Sequence, residues 1–327
     1  NRGAVVRRAA PDQLSNRMKT MRTFDSASCT ASSALKGLLV SLAFVVPAAP
    51  AMAATVTSSI QYDTLGLDNT SWLAPASVSV SDPVSAIVST SDLPPIPFYG
   101  GYNLYHDTYL GGGAYSHVNG TLASSVDMRA GGRLVAQTEW SDSFTNTSGA
   151  AQSYAMSFSI GGFNAYLGGW TSNHATRDYR GAYEANILVN GVSVWSSGQV
   201  FSLQNSTGSL SKSGVDIGTG TITPAVEESD YWQYQLGGYS GTAALGSFAA
   251  GQSFNVKYVL RSIGYWSDPD GCSYECGGVS AGIGDPFNVG GSGVSVAAVP
   301  EPETYALMLA GLGLMGGVAR RRKAARG

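Results

Sequence analysis

The chain has 327 residues, of which only 13% are charged, about half the usual share of roughly 25%, and it is rich in glycine with 42. The formal net charge of −3 hides a segregation: residues 54–299 hold seven Lys and Arg against eighteen Asp and Glu, so the body stands at −11 while the cations gather at the two ends. A body this acidic excludes nucleic acid as a partner, because phosphate binding needs clustered Lys and Arg.

In chain order, Met18 or Met21 is the expected start, which makes residues 1–17 an upstream extension outside the fold. Lys19, Arg22 and Lys36 then precede GLLVSLAFVVPAAPAMAA. A basic segment, an apolar segment and Ala51-Met52-Ala53 compose a secretory signal peptide over 18–53, with signal peptidase cutting after Ala53. Pro47 and Pro50 argue against a buried helix there.

From Thr55 to Val299 the periodicity is that of strands. SVSVSDPVSAIVST opens the series. WSDSFTNTSGAAQSYAMSF reads as strand, turn near Ser148-Gly149, strand, with Tyr154, Met156, Phe158 and Ile160 on one face. ANILVNGVSVW sets Asn190-Gly191 between two apolar runs, a strong hairpin signal. SFNVKYVL alternates again, with Phe254, Val256, Tyr258 and Leu260 on one face, and GVSVAAV closes the body. Residues 91–120 read as one long Pro-, Gly- and Tyr-rich loop. Short strands, Gly-rich turns and no long amphipathic helix predict an all-β body, a β-sandwich of jelly-roll type, over 54–299.

The body offers few catalytic patterns. Gly278-Val279-Ser280-Ala281-Gly282 fits G-x-S-x-G, but a hydrolase elbow needs a later His, and His106, His117 and His174 all come earlier. Their spacing also fits no zinc site. Cys272 and Cys276 are expected to form one disulfide in an oxidising compartment. Beside them, Asp268, Asp270, Glu275 and Asp285 compose a candidate calcium loop. The EF-hand spacing is absent and D-P-D-G is equally a turn sequence, so no cofactor is required. Tyr99, Tyr102, Tyr105, Tyr109, Tyr231, Trp232, Tyr234 and Tyr239 are candidates to stack on sugar rings, or to fill and edge a sandwich. A glycosidase or lyase would need two carboxylates across a cleft, for which Glu139, Asp142 and Glu184 are the candidates. The non-enzymatic reading is preferred.

The chain ends VPEPETYALMLAGLGLMGGVARRRKAARG. Sixteen uncharged residues, Thr304 to Ala319, span about 24 Å as a helix, short of a hydrocarbon core of about 30 Å. Arg320, Arg321, Arg322 and Lys323 follow, and the positive-inside rule puts them in the cytoplasm. The body then lies on the side to which the N-terminal signal delivers it. Pro300-Glu301-Pro302, a short apolar helix and an Arg-rich end resemble the PEP-CTERM sorting signal of Gram-negative bacteria. The resemblance covers 300–327 and implies a single transmembrane sorting helix read by a membrane protease-transpeptidase, the exosortase. It further implies an inner-membrane precursor, then a periplasmic, surface or extracellular-matrix protein associated with exopolysaccharide and biofilm. Polysaccharide is accordingly an expected partner of the body.

Overall fold

A computed structural model of the chain describes residues 54–65, 75–93, 110–129, 131–168, 177–205, 207–224, 231–267, 277–284, 293–299 and 302–324. Strands are numbered in chain order. Sheet 1 runs β11 (Thr207–Gly214), β10 (Val192–Gln204), β9 (Asp178–Val189), β15 (Ser253–Ser267), β6 (Gly132–Thr145), β1 (Thr55–Asp63), β2 (Ala76–Asp82). Sheet 2 runs β12 (Thr221–Thr223), β13 (Tyr231–Leu236), β8 (Phe163–Gly168), β16 (Gly278–Ile283), β5 (Leu122–Met128), β4 (Leu110–His117), β3 (Ser85–Ser89). Sheet 3 has β14 (Tyr239–Phe248), β7 (Gln152–Ile160) and β17 (Ser295–Val299). All the pairings are antiparallel, and the body is the expected all-β sandwich.

The alternation read from the sequence decides which face is buried. Phe254, Val256, Tyr258 and Leu260 of β15 are all buried, as are Met156, Phe158 and Ile160 of β7. Asn190 and Gly191 take φ of 50° and 82°, the left-handed pair that a two-residue hairpin turn requires, and they join β9 to β10. The turn is tied to β15: Asn190 N–H donates to the Asn255 carbonyl and Asn255 N–H to Asn190 Oδ1, both at 2.9 Å.

One face of sheet 1 carries the core and meets both other sheets. Against sheet 2 the approach is close. A Cβ on Gly181 of β9 would lie 2.9 Å from the Ala165 Cβ of β8. Gly181 pairs with Gly264 of β15, where a Cβ would lie 3.0 Å from Met128 Sδ and 3.3 Å from a Val126 methyl. Buried serines bridge the same two sheets: Ser58 Oγ donates to the Ala86 carbonyl at 2.8 Å, and Ser262 Oγ to the Ser124 carbonyl at 2.8 Å. Against sheet 3 the filling is aromatic. Phe158 packs edge-on to Trp195 at 4.7 Å, and Phe248 stacks on Phe254 at 3.7 Å between centroids.

Sheets 2 and 3 share one ladder. Phe163 opposes Leu236 and Ile160 opposes Tyr239, so the register passes unbroken through Gly161-Gly162 and Gly237-Gly238. Two glycine pairs facing each other interrupt the ladder there and divide it between the two sheets.

The structure corrects one loop. Residues 91–120 are not one loop, since β4 occupies Leu110–His117. Gly278–Gly282, the G-x-S-x-G match, lies within β16, where Ser280 sits mid-strand without any elbow turn. Both strands are rich in Gly, Ala and Ser. Their small residues suit close sheet packing and imitate turn composition.

Candidate functional site

The C-terminal segment begins inside the body. β17 pairs with β7 from Ser295 opposite Ser157 to Val299 opposite Ser153. Pro300 and Glu301 lie outside the described residues, and α1 (Pro302–Ala324) follows. Proline suits a first helical position, since its φ is preset and its missing N–H has no partner to lose. Leu307, Leu309, Leu314 and Met315 are exposed along α1. Arg320 and Arg321 are exposed in its last turns, where cations favour the helix dipole, and Arg322 and Lys323 continue the helix. Among the described residues no helix is long and apolar enough to cross a membrane. The expected spanning helix is thus corrected to a 23-residue helix whose uncharged part is short of the bilayer core, because Glu303 and Arg320 bound it.

The outer face of sheet 1 carries an open groove of about 360 Å³. Register builds it. Glu139 of β6, Val259 of β15 and Asn186 of β9 share one row, and Gln137, Arg261 and Glu184 share the row two residues on. Lys257 Nζ lies 2.6 Å from Glu139 Oε1. Arg261 donates from Nη1 to Glu184 Oε2 at 3.1 Å and from Nε to Gln137 Oε1 at 2.6 Å. These long side chains shelter Val259, only 8% exposed on an outward-facing position.

Two of the three candidate carboxylates, Glu139 and Glu184, are thereby brought to one groove, on strands either side of β15. Two strand spacings across and two residues along put their backbones roughly 12 Å apart. Asp142 is not part of the groove lining. Partial burial raises its carboxyl above the usual range, against the Ser143 N–H that holds it down. The groove's cations went unnoticed in the sequence. The available signal was that Lys257 and Arg261, two of only seven cations in the body, stand four residues apart on one strand, opposite its apolar face.

The aromatic candidates separate. Tyr234 is buried and donates to Gln199 Oε1 at 2.6 Å while accepting from Gly220 N–H at 2.9 Å, so of the two readings it is a core residue. Tyr239 is half-buried and stacks on Trp195 at 6.3 Å. Trp232 is half-buried against Gly208 of β11, where a Cβ would sit 2.7 Å from its ring. Tyr231 is half-buried at the start of β13. Near it, Gln233, Tyr166, Ser280 and Asp127 form a row across the outer face of sheet 2, and Gln233 Nε2 donates to the Tyr166 hydroxyl at 2.9 Å. Tyr99, Tyr102, Tyr105, Tyr109, His106, His174, Cys272, Cys276, Asp268, Asp270, Glu275 and Asp285 lie outside the described residues. Among the described residues no three His, Cys, Asp or Glu could hold a metal ion.

Asp127 makes a pH prediction. Burial raises its carboxyl above the usual range, with the Arg129 charge opposing. The folded chain therefore holds this proton more readily than the unfolded chain does. Its penalty is present above the folded-state pKa and disappears as pH falls to the ordinary carboxylate value of about 4. Asp127→Asn is expected to melt higher than wild type at pH 7, with the gap closing toward pH 4. A lower melting temperature at pH 7 would refute this account.

A β-sandwich body joined by two residues to a helical, arginine-ended tail defines a tail-sorted class of exported protein. Residues 298–323 match the family model described as the PEP-CTERM protein-sorting motif. No curated protein matches the chain. The motif marks an exported protein that is held at the membrane and then cleaved by exosortase.

Proposed function

We propose that the chain is a cell-envelope or extracellular-matrix protein, non-enzymatic, whose body binds polysaccharide of a biofilm matrix through the sheet 1 groove. The groove itself carries this reading. Its volume of about 360 Å³ lies in the range of small-ligand sites, roughly 300–1,000 Å³. Its lining offers Glu and Gln acceptors beside Arg, Lys and Asn donors, and saccharide hydroxyls both donate and accept. Its two cations are already paired with its two carboxylates, so an uncharged saccharide can bind without stranding a charge. Tyr231 and Tyr166 on sheet 2 are the second candidate surface.

A polysaccharide-active enzyme is the alternative, with Glu139 and Glu184 as its acids. Glycosidases hold their carboxyls roughly 5–9.5 Å apart. Here each carboxylate is occupied by a cation, which favours binding over bond cleavage.

Binding of the purified body to a panel of neutral and acidic polysaccharides tests these readings. Arg261→Ala and Glu184→Ala are each expected to weaken binding about tenfold, the loss of roughly 1.4 kcal/mol of charge-assisted hydrogen bonding. Loss on Tyr231→Ala alone would move the site to sheet 2. No binding to any member would end the glycan reading. Product release abolished by Glu139→Ala would establish the enzyme.

A further inference from the structure

We propose that β17 is a substrate strand held by the body, and that sorting begins with its release from β7. The inference rests on the exosortase reading of the tail. The matched motif begins at residue 298, whereas β17 runs to Val299, so Ala298 and Val299 belong to both. Both are engaged in the ladder, opposite Tyr154 and Ser153. Only Pro300 and Glu301 separate that ladder from α1. Three extended steps, Val299 to Pro302, reach about 10 Å at most. Among the described residues β17 is an edge strand, paired with β7 alone. A protease cleft must nevertheless enclose the chain on both faces, and a spacing of two residues between the ladder and the helix leaves no room for one.

The strand is built to be released at one end. Ser295, Ala297 and Val299 are exposed, and only Val296 and Ala298 are half-buried. A five-residue edge strand with so little burial belongs to the least stable part of a fold. Its N-terminal side is anchored differently. Val294 N–H donates to the Asn119 carbonyl at 2.8 Å, and Val294 packs against the core. Peeling from Val299 therefore stops near 294, which frees five residues, Ser295 to Val299, ahead of Pro300 while the rest of the body stays folded.

The test is a reversible lock. Ala155 and Ala297 face each other on β7 and β17. Directly opposed Cβ atoms lie about 4.5–5.5 Å apart, so a disulfide closes with a small shift. The full-length chain carrying Ala155→Cys with Ala297→Cys is expressed in an exosortase-bearing host, and peptide mapping confirms the engineered bond. Intact mass then follows loss of the tail. The locked chain is expected to keep its tail, with processing at least tenfold slower than wild type, and to be processed at the wild-type rate once reduced. Each single cysteine variant should match wild type, which controls for folding. Val296→Pro, which loosens β17 without a lock, should be processed at least as fast as wild type. Processing of the locked chain at the wild-type rate, or slower processing of Val296→Pro, would overturn the proposal. If wild type itself keeps its tail, the exosortase reading fails and the inference falls with it. That failure shows in wild type, whereas failure of the inference alone shows only in the variants.

Discussion

Gly181→Val is expected to lower the melting temperature of the body by roughly 6–12 °C, the consequence of about 3 kcal/mol of overpacking in a domain of this size. The position admits no Cβ. The nearest atoms would be the Ala165 Cβ at 2.9 Å and the Ala281 Cβ and a Leu167 methyl at 3.4 Å. None of these is the far end of a long flexible side chain. Ala165 belongs to β8 and Ala281 to β16, central strands of sheet 2, so relief requires the two sheets to separate. Separation would also stretch the Ser262 to Ser124 bridge. A double-mutant cycle identifies the cause. Gly181→Ala alone should destabilise, and adding Ala165→Gly should recover part of the loss, with coupling of about 0.5–3 kcal/mol for residues in contact. Thermal melts of the four proteins decide it. A Gly181→Val protein melting within a degree or two of wild type would mean that sheet 2 does not approach here as closely as the structure has it.

This packing explains which parts of the fold were legible in the sequence. β15, β7 and the β9–β10 hairpin place large apolar residues at alternate positions, and each was read correctly. β4, with LGGGAYSH, and β16, with GVSAGI, do the same job with glycine, alanine and serine. Close sheet approach selects small residues, and small residues erase the hydrophobic signal that pattern reading uses. Their strand character comes from neighbours, since β4 is held by β3 and β5 and β16 by β5 and β8.

The sites divide along the same line. The sorting tail is a contiguous signal in which order along the chain is the whole message, and it was legible. The groove depends on register between strands distant in sequence. Glu139, Val259 and Asn186 become one row only after β6, β15 and β9 pair. Glu139 and Glu184 could be named as carboxylates in strands, but nothing local gave them a common groove or their cation partners. Tyr234 depends on the fold in the same way. The sequence left it open between sugar stacking and core filling, and alternation along β13 turns it inward between Gln199 and Gly220.

Asn146→Ala is expected to loosen sheet 3 while leaving sheet 2 intact. Asn146 is fully buried, and its side chain serves two turns at once. Nδ2 donates to the carbonyls of Ala150, Phe248 and Ala249 at 2.9, 2.8 and 3.1 Å, and Oδ1 accepts from Ser148 N–H at 3.0 Å. This amide fastens the β6–β7 turn to the β14–β15 turn, beside two backbone bonds that alanine keeps, Asn146 N–H to the Gln252 carbonyl at 2.9 Å and Gly251 N–H to the Asn146 carbonyl at 2.8 Å. These are the connections through which sheet 3 is held against sheet 1, over the Phe248–Phe254 stack. Alanine takes one donor from each of these carbonyls and the acceptor from Ser148 N–H. The Ala249 carbonyl keeps the Gln252 N–H at 3.0 Å and the Ala150 carbonyl the Ser148 hydroxyl at 2.7 Å, so the cost falls mainly on the buried Phe248 carbonyl and the Ser148 N–H, at about 1–3 kcal/mol for each. A total of about 3 kcal/mol speeds local opening roughly 150-fold. Amide exchange of β14 and β17 should rise by about two orders of magnitude, with β5, β8 and β16 near wild type. Unchanged exchange in β14 would show that the Asn146 network holds nothing together. Equal acceleration everywhere would show that sheet 3 opens only with the whole body, leaving β17 no route to release short of unfolding. Differential acceleration has a further consequence. β17 hangs on β7, so a sheet 3 that opens alone presents the sorting strand more often, and Asn146→Ala should lose its tail faster than wild type in an exosortase-bearing host.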